Sequence, residues 1–259
     1  MLHAIKKNKT TYYKRYTDQR DAHDKRVSQE DEITSTVFGP LDFMESGAIL
    51  RFWSKIFELV DRPLSFPEGL PIRHEYELWR KNNGIEPDAH LTFFWPDNSR
   101  FDILIEVKWR SPLSGKDQLH RQWLDYLNDA ERKNCWHVFI APEISEGISA
   151  RNSDMGNVWK IGDEQRLVLV SWAQIRDALS RCLDYSSSLT KWAEITNGFL
   201  QSIGIRRFKG FCSLGCKLPT IEVFHPVFFV DLVQGFNGFE AGKNNLSEAH
   251  DEFKPFFKR

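Results

Sequence analysis

Apolar and polar residues alternate in the segment EPDAHLTFFWPDNSRFDILIEVKW, residues 86–109, and this pattern predicts a β-hairpin. In both arms the odd-numbered positions are apolar, whereas the even-numbered positions carry most of the polar residues. The run Pro-Asp-Asn-Ser between the arms, residues 96–99, is typical of a turn. A three-residue loop at residues 97–99 would pair Pro96 with Arg100 and Asp88 with Lys108, and we expect that register.

Helical periodicity and apolar runs predict further elements on both sides of this hairpin. Alternating helices and strands indicate an α/β architecture, with a mixed central sheet flanked by helices. Ser114 is the expected N-cap of the helix that follows the hairpin. The predicted helices begin near residue 28 and cover residues 41–59, 116–130, 173–183 and 192–202, and the predicted strands are CWHVFIAP, residues 135–142, and RLVLVSW, residues 166–172.

Changes in composition divide the chain into three parts. Residues 1–27 form a basic arm, in which residues 1–26 carry eight Lys or Arg against three Asp, although the net charge of the whole chain is −1. Such an arm could lie along phosphates or be a solvated tail. Residues 28–184 form the α/β domain, and residues 185–259 form a smaller C-terminal α+β region with an aromatic, β-rich tail. The phenylalanines of this tail are more simply a packed core than a base-stacking surface, and we expect the region to bind substrate or a partner.

Composition also indicates the class of protein. A chain of 259 residues with 41% hydrophobic residues can bury a large core, and it has no apolar run long enough to cross a membrane. The first residues lack the apolar region of a secretory signal, so we expect a cytoplasmic protein without membrane association. The close pair Cys212 and Cys216 is better interpreted as two buried thiols than as a zinc site with His225.

The even-numbered face of the hairpin collects charged and polar side chains. Asp88, His90, Glu106 and Lys108 share this face if odd positions lie over odd positions, and Asp88 and Glu106 become diagonal neighbours. Two carboxylates at that spacing can share one Mg²⁺ ion, and a lysine beside the ion can orient a water molecule or stabilise developing charge. We expect His90 to be a structural histidine and Asp102, on the same strand, to be a surface charge.

The order Pro87-Asp88, an intervening stretch, and Glu106-Val107-Lys108 at a strand end resembles the PD-(D/E)XK nuclease superfamily, the restriction-endonuclease-like fold. The resemblance covers roughly residues 28–141. It implies Mg²⁺ (or Mn²⁺) bound by Asp88 and Glu106 with the Val107 carbonyl as a further ligand, and Lys108 near the attacking water. In that family an acid of the first helix and a polar residue of the helix after the motif often join the site. Here these match Glu32 or Glu30, and Gln118 in preference to Gln122.

The resemblance implies a Mg²⁺-dependent deoxyribonuclease that hydrolyses phosphodiester bonds, an effector of a bacterial restriction or anti-phage system. Its partners would be DNA and a protein of that system, and the family is compatible with a homodimer. His120 and Arg121 could meet a phosphate, although a solvated position is the default for Arg121. RNA is an alternative substrate. The alternative from another class is a catalytically inactive restriction-like module that binds nucleic acid or protein, and a solvated charge pair on an exposed strand would explain the motif without chemistry.

Overall fold

A mixed β-sheet of five strands runs through the part of the chain that the computed structural model describes, which is residues 2–7, 9, 29–60, 66–115, 117–183 and 187–205. Its strands are β1 (Arg73–Leu78), β2 (Ala89–Phe94), β3 (Arg100–Val107), β4 (Cys135–Ala141) and β7 (Leu167–Ser171), in the order β1-β2-β3-β4-β7. The pairs β1–β2 and β2–β3 are antiparallel, whereas β3–β4 and β4–β7 are parallel. The prediction of an α/β fold with a mixed sheet is therefore confirmed.

Helices and short turns make up the rest of the described structure. A second, two-stranded sheet consists of β5 (Lys160–Ile161) and β6 (Glu164–Gln165). Short 3₁₀ segments lie at Gly39–Phe43 and Gly156–Trp159, and a π-helical segment lies at Gln122–Tyr126. The α-helices are α1 (Leu2–Lys6), α2 (Gln29–Val37), α3 (Ser46–Leu59), α4 (Gln118–Arg121), α5 (Asp129–Asn134), α6 (Ser145–Arg151), α7 (Trp172–Ser180) and α8 (Ser187–Ser202).

Helices cover both faces of the central sheet. The odd-numbered side chains of β2 and β3 pack in one core with residues of α2, α3, α7 and α8. The opposite face, which carries Leu104 of β3 and Phe139 of β4, packs in a second core with Leu119 and Trp123. Strands of a parallel sheet are commonly buried on both faces. The even-numbered face of the hairpin, predicted to be polar, is therefore covered as well.

The hairpin register differs by two residues from the prediction. Ala89 pairs with Ile105 and Phe94 with Arg100, so odd positions lie over odd positions as expected. The loop comprises residues 96–98 and not the predicted residues 97–99. The Asn98 N–H donates to the Trp95 carbonyl (3.1 Å), and Asn98 has a φ of 64°. A type I turn followed by a left-handed residue closes a three-residue hairpin, and asparagine tolerates that conformation. Extending this register places Asp88 opposite Glu106 instead of Lys108.

The prediction of one continuous helix over residues 116–130 is wrong, because the segment forms two helices with a break between them. Helix α4 begins at Gln118, with Asp117 and not Ser114 at its N-cap, and it continues into the π-helical segment. The chain then breaks, and α5 begins after Asn128. The Asn128 side chain accepts hydrogen bonds from the N–H groups of Ala130 and Glu131, so this N-cap starts a new helix where periodicity suggested a continuous one.

Several elements have no counterpart in the predictions. They are helix α1, the edge strand β1, helix α6 and the two-stranded sheet. Helix α1 lies in the segment predicted to be a basic arm, but its Ala4 is buried in the main core, so this part of the arm is not a solvated tail. In α6, a Cβ atom on Gly147 would lie 2.5 Å from Leu169 Cδ2, so glycine allows this helix to approach the sheet closely. Cys212, Cys216, the aromatic tail and most of the basic arm lie outside the described residues.

Helix α8 lies in the segment predicted to be the C-terminal region, but it packs against the helices of the α/β core. Leu189, Trp192 and Ala193 belong to the same core as α3 and α7. The Trp192 indole N–H donates to the Val37 carbonyl (3.1 Å), which ties α8 to the end of α2. Within the described ranges, no helix has the length and apolar character needed to cross a bilayer.

The turn geometry gives a prediction for Asn98. Replacing Asn98 with Val should lower the free energy of unfolding by about 1–2 kcal/mol, because a branched side chain is strained at positive φ. Asn98→Gly is the matched control and should be close to wild type. Urea denaturation of the three proteins measures the difference, and equal stability of the Val and Gly variants would contradict the assigned turn.

Candidate active site

The end of the β2–β3 hairpin orients Asp88. Strand β2 begins at Ala89, and in this register the Val107 N–H would face Pro87, where the ladder has already ended. The Asp88 carboxylate takes that hydrogen bond instead, with Oδ2 2.8 Å from the Val107 nitrogen. Its other oxygen accepts from the Trp79 indole N–H (3.2 Å). Asp88 is thereby fixed beside Val107, the last residue of strand β3.

Two glutamine side chains hold Glu106 from the helical segment that follows the motif. Gln118 Nε2 donates to Glu106 Oε1, and Gln122 Nε2 donates to Glu106 Oε2, each at 2.6 Å. The two glutamines are four residues apart, which places them on one face of a helix. The sequence favoured Gln118 over Gln122, and the structure brings both to the carboxylate.

Lys108 connects the site to two acidic side chains. Its Nζ lies 2.9 Å from Glu106 Oε1 and 2.8 Å from Glu30 Oε1. The backbone of Lys108 is also fixed on both sides. Its N–H donates to the Ile140 carbonyl (2.7 Å), and its carbonyl accepts from the Trp172 indole (2.9 Å).

Glu30 is the acid of α2 that reaches the site. Besides Lys108, its carboxylate accepts a hydrogen bond from the Trp109 N–H (3.3 Å) and one from the Ser111 hydroxyl. Glu32, which the sequence placed at the site as the first choice, is exposed on the same helix. One residue of α2 can face the sheet while the residue two positions on points away, because successive helical residues differ by about 100°.

Burial of the site excludes the interpretation as a solvated charge pair. Asp88 is 7% exposed, Glu106 is 2% exposed and Lys108 is 5% exposed. Burying charged groups is costly unless they are paired and hydrogen-bonded. An exposed amphipathic strand would place these side chains in water, so that explanation of the motif is wrong.

The proximity of two buried carboxylates affects their pKa values. Burial, followed by the charge of Glu106, raises the pKa of Asp88 well above its usual value. Burial also raises the pKa of Glu106, and the neighbouring Lys108 opposes that effect. Burial disfavours the charged form of Lys108, but the carboxylates of Glu106 and Glu30 raise its pKa, so Lys108 remains an ammonium at neutral pH.

Asp88 and Glu106 are the residues that could hold a metal ion. Over the described residues, no three or more His, Cys, Asp or Glu side chains form a group suited to binding a metal. Mg²⁺ commonly needs only one or two protein carboxylates and keeps several waters. A carboxylate pair whose ionisation is disfavoured by burial and mutual repulsion is a donor set that a cation would relieve. The Val107 N–H donates a hydrogen bond to the Asp88 carboxylate. The Val107 carbonyl was predicted to be a metal ligand, and it stays a prediction.

A separate buried network occupies the same face of the sheet, nearer the turn. Asp102 is fully buried and accepts hydrogen bonds from Arg100 (2.7 Å) and Thr92 (2.6 Å), so its prediction as a surface charge is wrong. His90 lies between Asp102 (3.2 Å) and the Tyr126 hydroxyl (3.0 Å), which confirms it as a structural histidine. Burial opposes ionisation of Asp102, but hydrogen bonds from His90, Arg100 and Thr92 lower its pKa.

The two residues considered as phosphate contacts have other surroundings. His120 is buried against the Trp159 ring, with centroids 4.5 Å apart, and Nε2 lies 3.3 Å from the Ser153 hydroxyl. Arg121 is exposed, and its Nε lies 3.9 Å from Asp125 Oδ2 on the same helical segment. A solvated position, the default for Arg121, is therefore what the structure shows.

Sequence reasoning missed Trp79, which fixes Asp88 from the end of β1. Its φ of 51° lies in the left-handed region, which is uncommon for a bulky residue. Backbone strain of this kind costs of order 1–3 kcal/mol and persists where surrounding contacts enforce it. Here the Trp79 N–H donates to the Asp88 carbonyl (3.0 Å) while the indole donates to the carboxylate. No periodic pattern marks this residue, because it lies just beyond an edge strand that was not predicted.

Comparison with known proteins does not assign the chain to a family. A scan against models of protein families finds no match, and a search of curated proteins finds no similar sequence.

The raised pKa of Asp88 predicts a specific pH dependence of stability without metal. Because the folded-state pKa lies above the unfolded value, Asp88 contributes stability below about pH 4 that is lost as the pH rises through the folded pKa. In EDTA, wild type should therefore lose stability relative to Asp88→Asn between pH 4 and pH 8. The loss should be about 1.4 kcal/mol for each unit by which the pKa is raised. Urea denaturation across this range measures the change.

Asp102→Asn is the matched control for this experiment. The pKa of Asp102 is lowered, so its contribution is present above the unfolded value and is lost only in acid. The difference between wild type and Asp102→Asn should therefore stay flat from pH 5 to pH 8. A flat difference for Asp88→Asn over that interval would contradict the assigned electrostatics of the site.

Proposed function

We propose that this chain is a Mg²⁺-dependent nuclease with a restriction-endonuclease-like fold, which hydrolyses phosphodiester bonds in DNA. The observation that carries the proposal is the buried convergence of Asp88, Glu106 and Lys108 at the end of strand β3. The mixed sheet with helices on both faces supports it, because the PD-(D/E)XK superfamily that the motif resembles has this general architecture. Glu30 and the two glutamines add the helical contributions that the resemblance implies.

The residues divide the chemistry between them. Asp88 and Glu106 would hold the ion, with the Val107 carbonyl as a further ligand. When bound, Mg²⁺ polarises a phosphodiester oxygen and lowers the pKa of its water. Lys108 stays protonated between Glu106 and Glu30, so it donates hydrogen bonds and stabilises developing negative charge, and it does not accept the proton of the water.

The hydrogen bonds around Glu106 serve orientation. Gln118 and Lys108 both hydrogen-bond to Oε1, whereas Oε2 accepts from Gln122, so a lone pair of Oε2 remains to bind an ion. Fixed carboxylates lose little freedom when they bind an ion, which favours a defined coordination geometry. Glu30 in turn holds the ammonium group of Lys108 next to Glu106.

The biological setting rests on the family resemblance alone. An effector of a bacterial restriction or anti-phage system, acting with a partner protein, is the setting that we infer. DNA is favoured over RNA on the same ground, and RNA stays an alternative substrate that the assay below includes. The binding-module alternative would leave a buried lysine and two buried acids without a chemical task.

Cleavage assays with site variants test the proposal. Lys108→Met and Glu106→Gln should reduce the rate of DNA cleavage in Mg²⁺ or Mn²⁺ by about 10²- to 10³-fold, because they remove charge at the reacting group. Initial rates on supercoiled plasmid and on linear duplex, with labelled RNA in parallel, measure activity and substrate class. EDTA should abolish cleavage by wild type.

The two acids of helix α2 give a matched pair for the same assay. Glu30→Gln should slow cleavage by about 10- to 100-fold, because Lys108 loses a charged partner, whereas Glu32→Gln should retain the wild-type rate. Equal activity of wild type, Lys108→Met and Glu106→Gln would show that a contaminant cleaves the DNA. A wild-type protein that binds DNA but cleaves neither nucleic acid would support the inactive module instead.

A further inference from the structure

Behind the site, a chain of hydrogen bonds runs from a buried tryptophan to Glu106. Trp159 Nε1 lies 3.3 Å from His137 Nδ1, and His137 Nε2 lies 3.1 Å from Gln122 Oε1. Gln122 Nε2 then donates to Glu106 Oε2 at 2.6 Å. His137 lies in the middle of strand β4, on the face of the sheet that carries Glu106. The chain thus joins the second core to the candidate metal ligand.

The chemistry of these groups fixes the direction of every hydrogen bond in the chain. An indole N–H can only donate, so His137 Nδ1 must accept, and a neutral imidazole then carries its proton on Nε2. That proton is donated to Gln122 Oε1, which leaves the NH₂ group of Gln122 facing Glu106. A reversed amide would place its oxygen against the Glu106 carboxylate, where two acceptors repel each other.

The surroundings of His137 keep its ring neutral. The ring is fully buried, stacks parallel to Trp123 with centroids 6.2 Å apart, and contacts Trp159 on another side. Burial lowers the pKa of His137 to about 3, and the neighbouring His120 acts in the same direction. The direction of the chain is therefore constant over the pH range in which proteins function.

Gln118 shows the same arrangement with a different donor. The Ser114 N–H donates to Gln118 Oε1 (2.7 Å), and Gln118 Nε2 donates to Glu106 Oε1. Both glutamines that hold Glu106 are therefore oriented by a donor on their far side. A backbone group does this for Gln118, whereas Gln122 depends on two side chains buried in the core.

We propose that His137 and Trp159 are positioning residues, which orient the Gln122 amide and through it the Glu106 carboxylate for metal binding. This inference rests on the proposed function. Neither residue touches a reacting atom, and both act through Gln122. An apolar side chain at position 137 would lie beside Leu104, Phe139 and Leu167, which are buried and apolar on this face of the sheet. It would leave the Gln122 amide free to turn over.

Variants at position 137 separate orientation from packing. His137→Leu removes both hydrogen bonds, whereas His137→Gln restores a donor near the position of Nε2. Trp159→Phe keeps an aromatic ring but removes the donor to His137. We expect His137→Leu to weaken Mn²⁺ binding, measured by isothermal titration calorimetry, by about 10- to 100-fold, and His137→Gln to recover most of that loss. Trp159→Phe should have a smaller effect, and cleavage rates should follow the same order.

Nitrogen-15 NMR provides a measurement that does not depend on metal or activity. Wild-type His137 should show a protonated Nε2 and an unprotonated Nδ1 from pH 5 to pH 8, and the Gln122 side-chain amide should shift in His137→Leu but return in His137→Gln. Thermal unfolding identifies which variants remain folded. If His137→Leu proves unstable, the Mn²⁺ affinity of Trp159→Phe is compared with that of wild type and of His137→Gln instead.

The outcomes distinguish this inference from the proposed function. Mn²⁺ binding by folded His137→Leu with wild-type affinity would overturn the positioning role, even if wild type cleaves DNA. A protonated Nδ1 in wild type would overturn the direction of the chain. A wild-type protein that neither binds Mn²⁺ nor cleaves would refute the proposed function, and the NMR experiment would still decide how the Gln122 amide is held.

Discussion

Keeping two carboxylates and one ammonium out of water is the constraint on which the rest of this structure depends. Charges removed from water are tolerated only when hydrogen bonds and opposite charge replace the lost hydration. Here Asp88 receives a backbone N–H and an indole, and Glu106 receives two amides and Lys108. These partners come from three parts of the chain, which are the residue after β1, the end of β3 and the helical segment that begins at Gln118. The site therefore forms only when strands β1 to β3 and the helical segment that covers them are assembled.

The second core contains the helical segment that covers the even-numbered face of the hairpin. A helical segment must lie directly over the end of β3 to bring two glutamines to Glu106. The π-helical segment Gln122–Tyr126 begins at the second of these residues, and such segments are often found at functional sites. Its Tyr126 also reaches the second polar network, through His90. One helical segment thus serves the candidate site at one end and a structural network at the other.

The local pattern of apolar and polar residues was sufficient to predict the α/β class and the hairpin. It also predicted that Asp88, Glu106 and Lys108 share one face, because alternate residues of a strand point to the same side of the sheet. It was not sufficient for the register, since the position of a three-residue loop depends on which residue adopts the left-handed conformation, and Asn98 does so. Burial of the polar face was also missed, because it results from helices that are distant in sequence. For the same reason Asp102 was predicted to be a surface residue.

The choice among the acids of helix α2 shows a similar limit. Periodicity with Ile33 and Val37 defines the buried side of the helix but not the rotation that directs Glu30 toward Lys108. That rotation depends on contacts with residues more than 70 positions away. The tryptophan at position 79 and the histidine at position 137 are further examples, because their importance arises from two hydrogen bonds each and leaves no repeating pattern in the sequence.

The indole of Trp172 has a consequence for how the lysine can move. Trp172 is the first residue of α7, fully buried in the main core, and it holds the carbonyl of Lys108. The backbone of Lys108 is therefore hydrogen-bonded to a side chain of the main core, on the face of the sheet opposite its ammonium group. Fraying of a nearby loop would not release it, because the Trp172 ring is packed among buried side chains of the main core. The charged centre should thus share the lifetime of the core and not that of a surface loop.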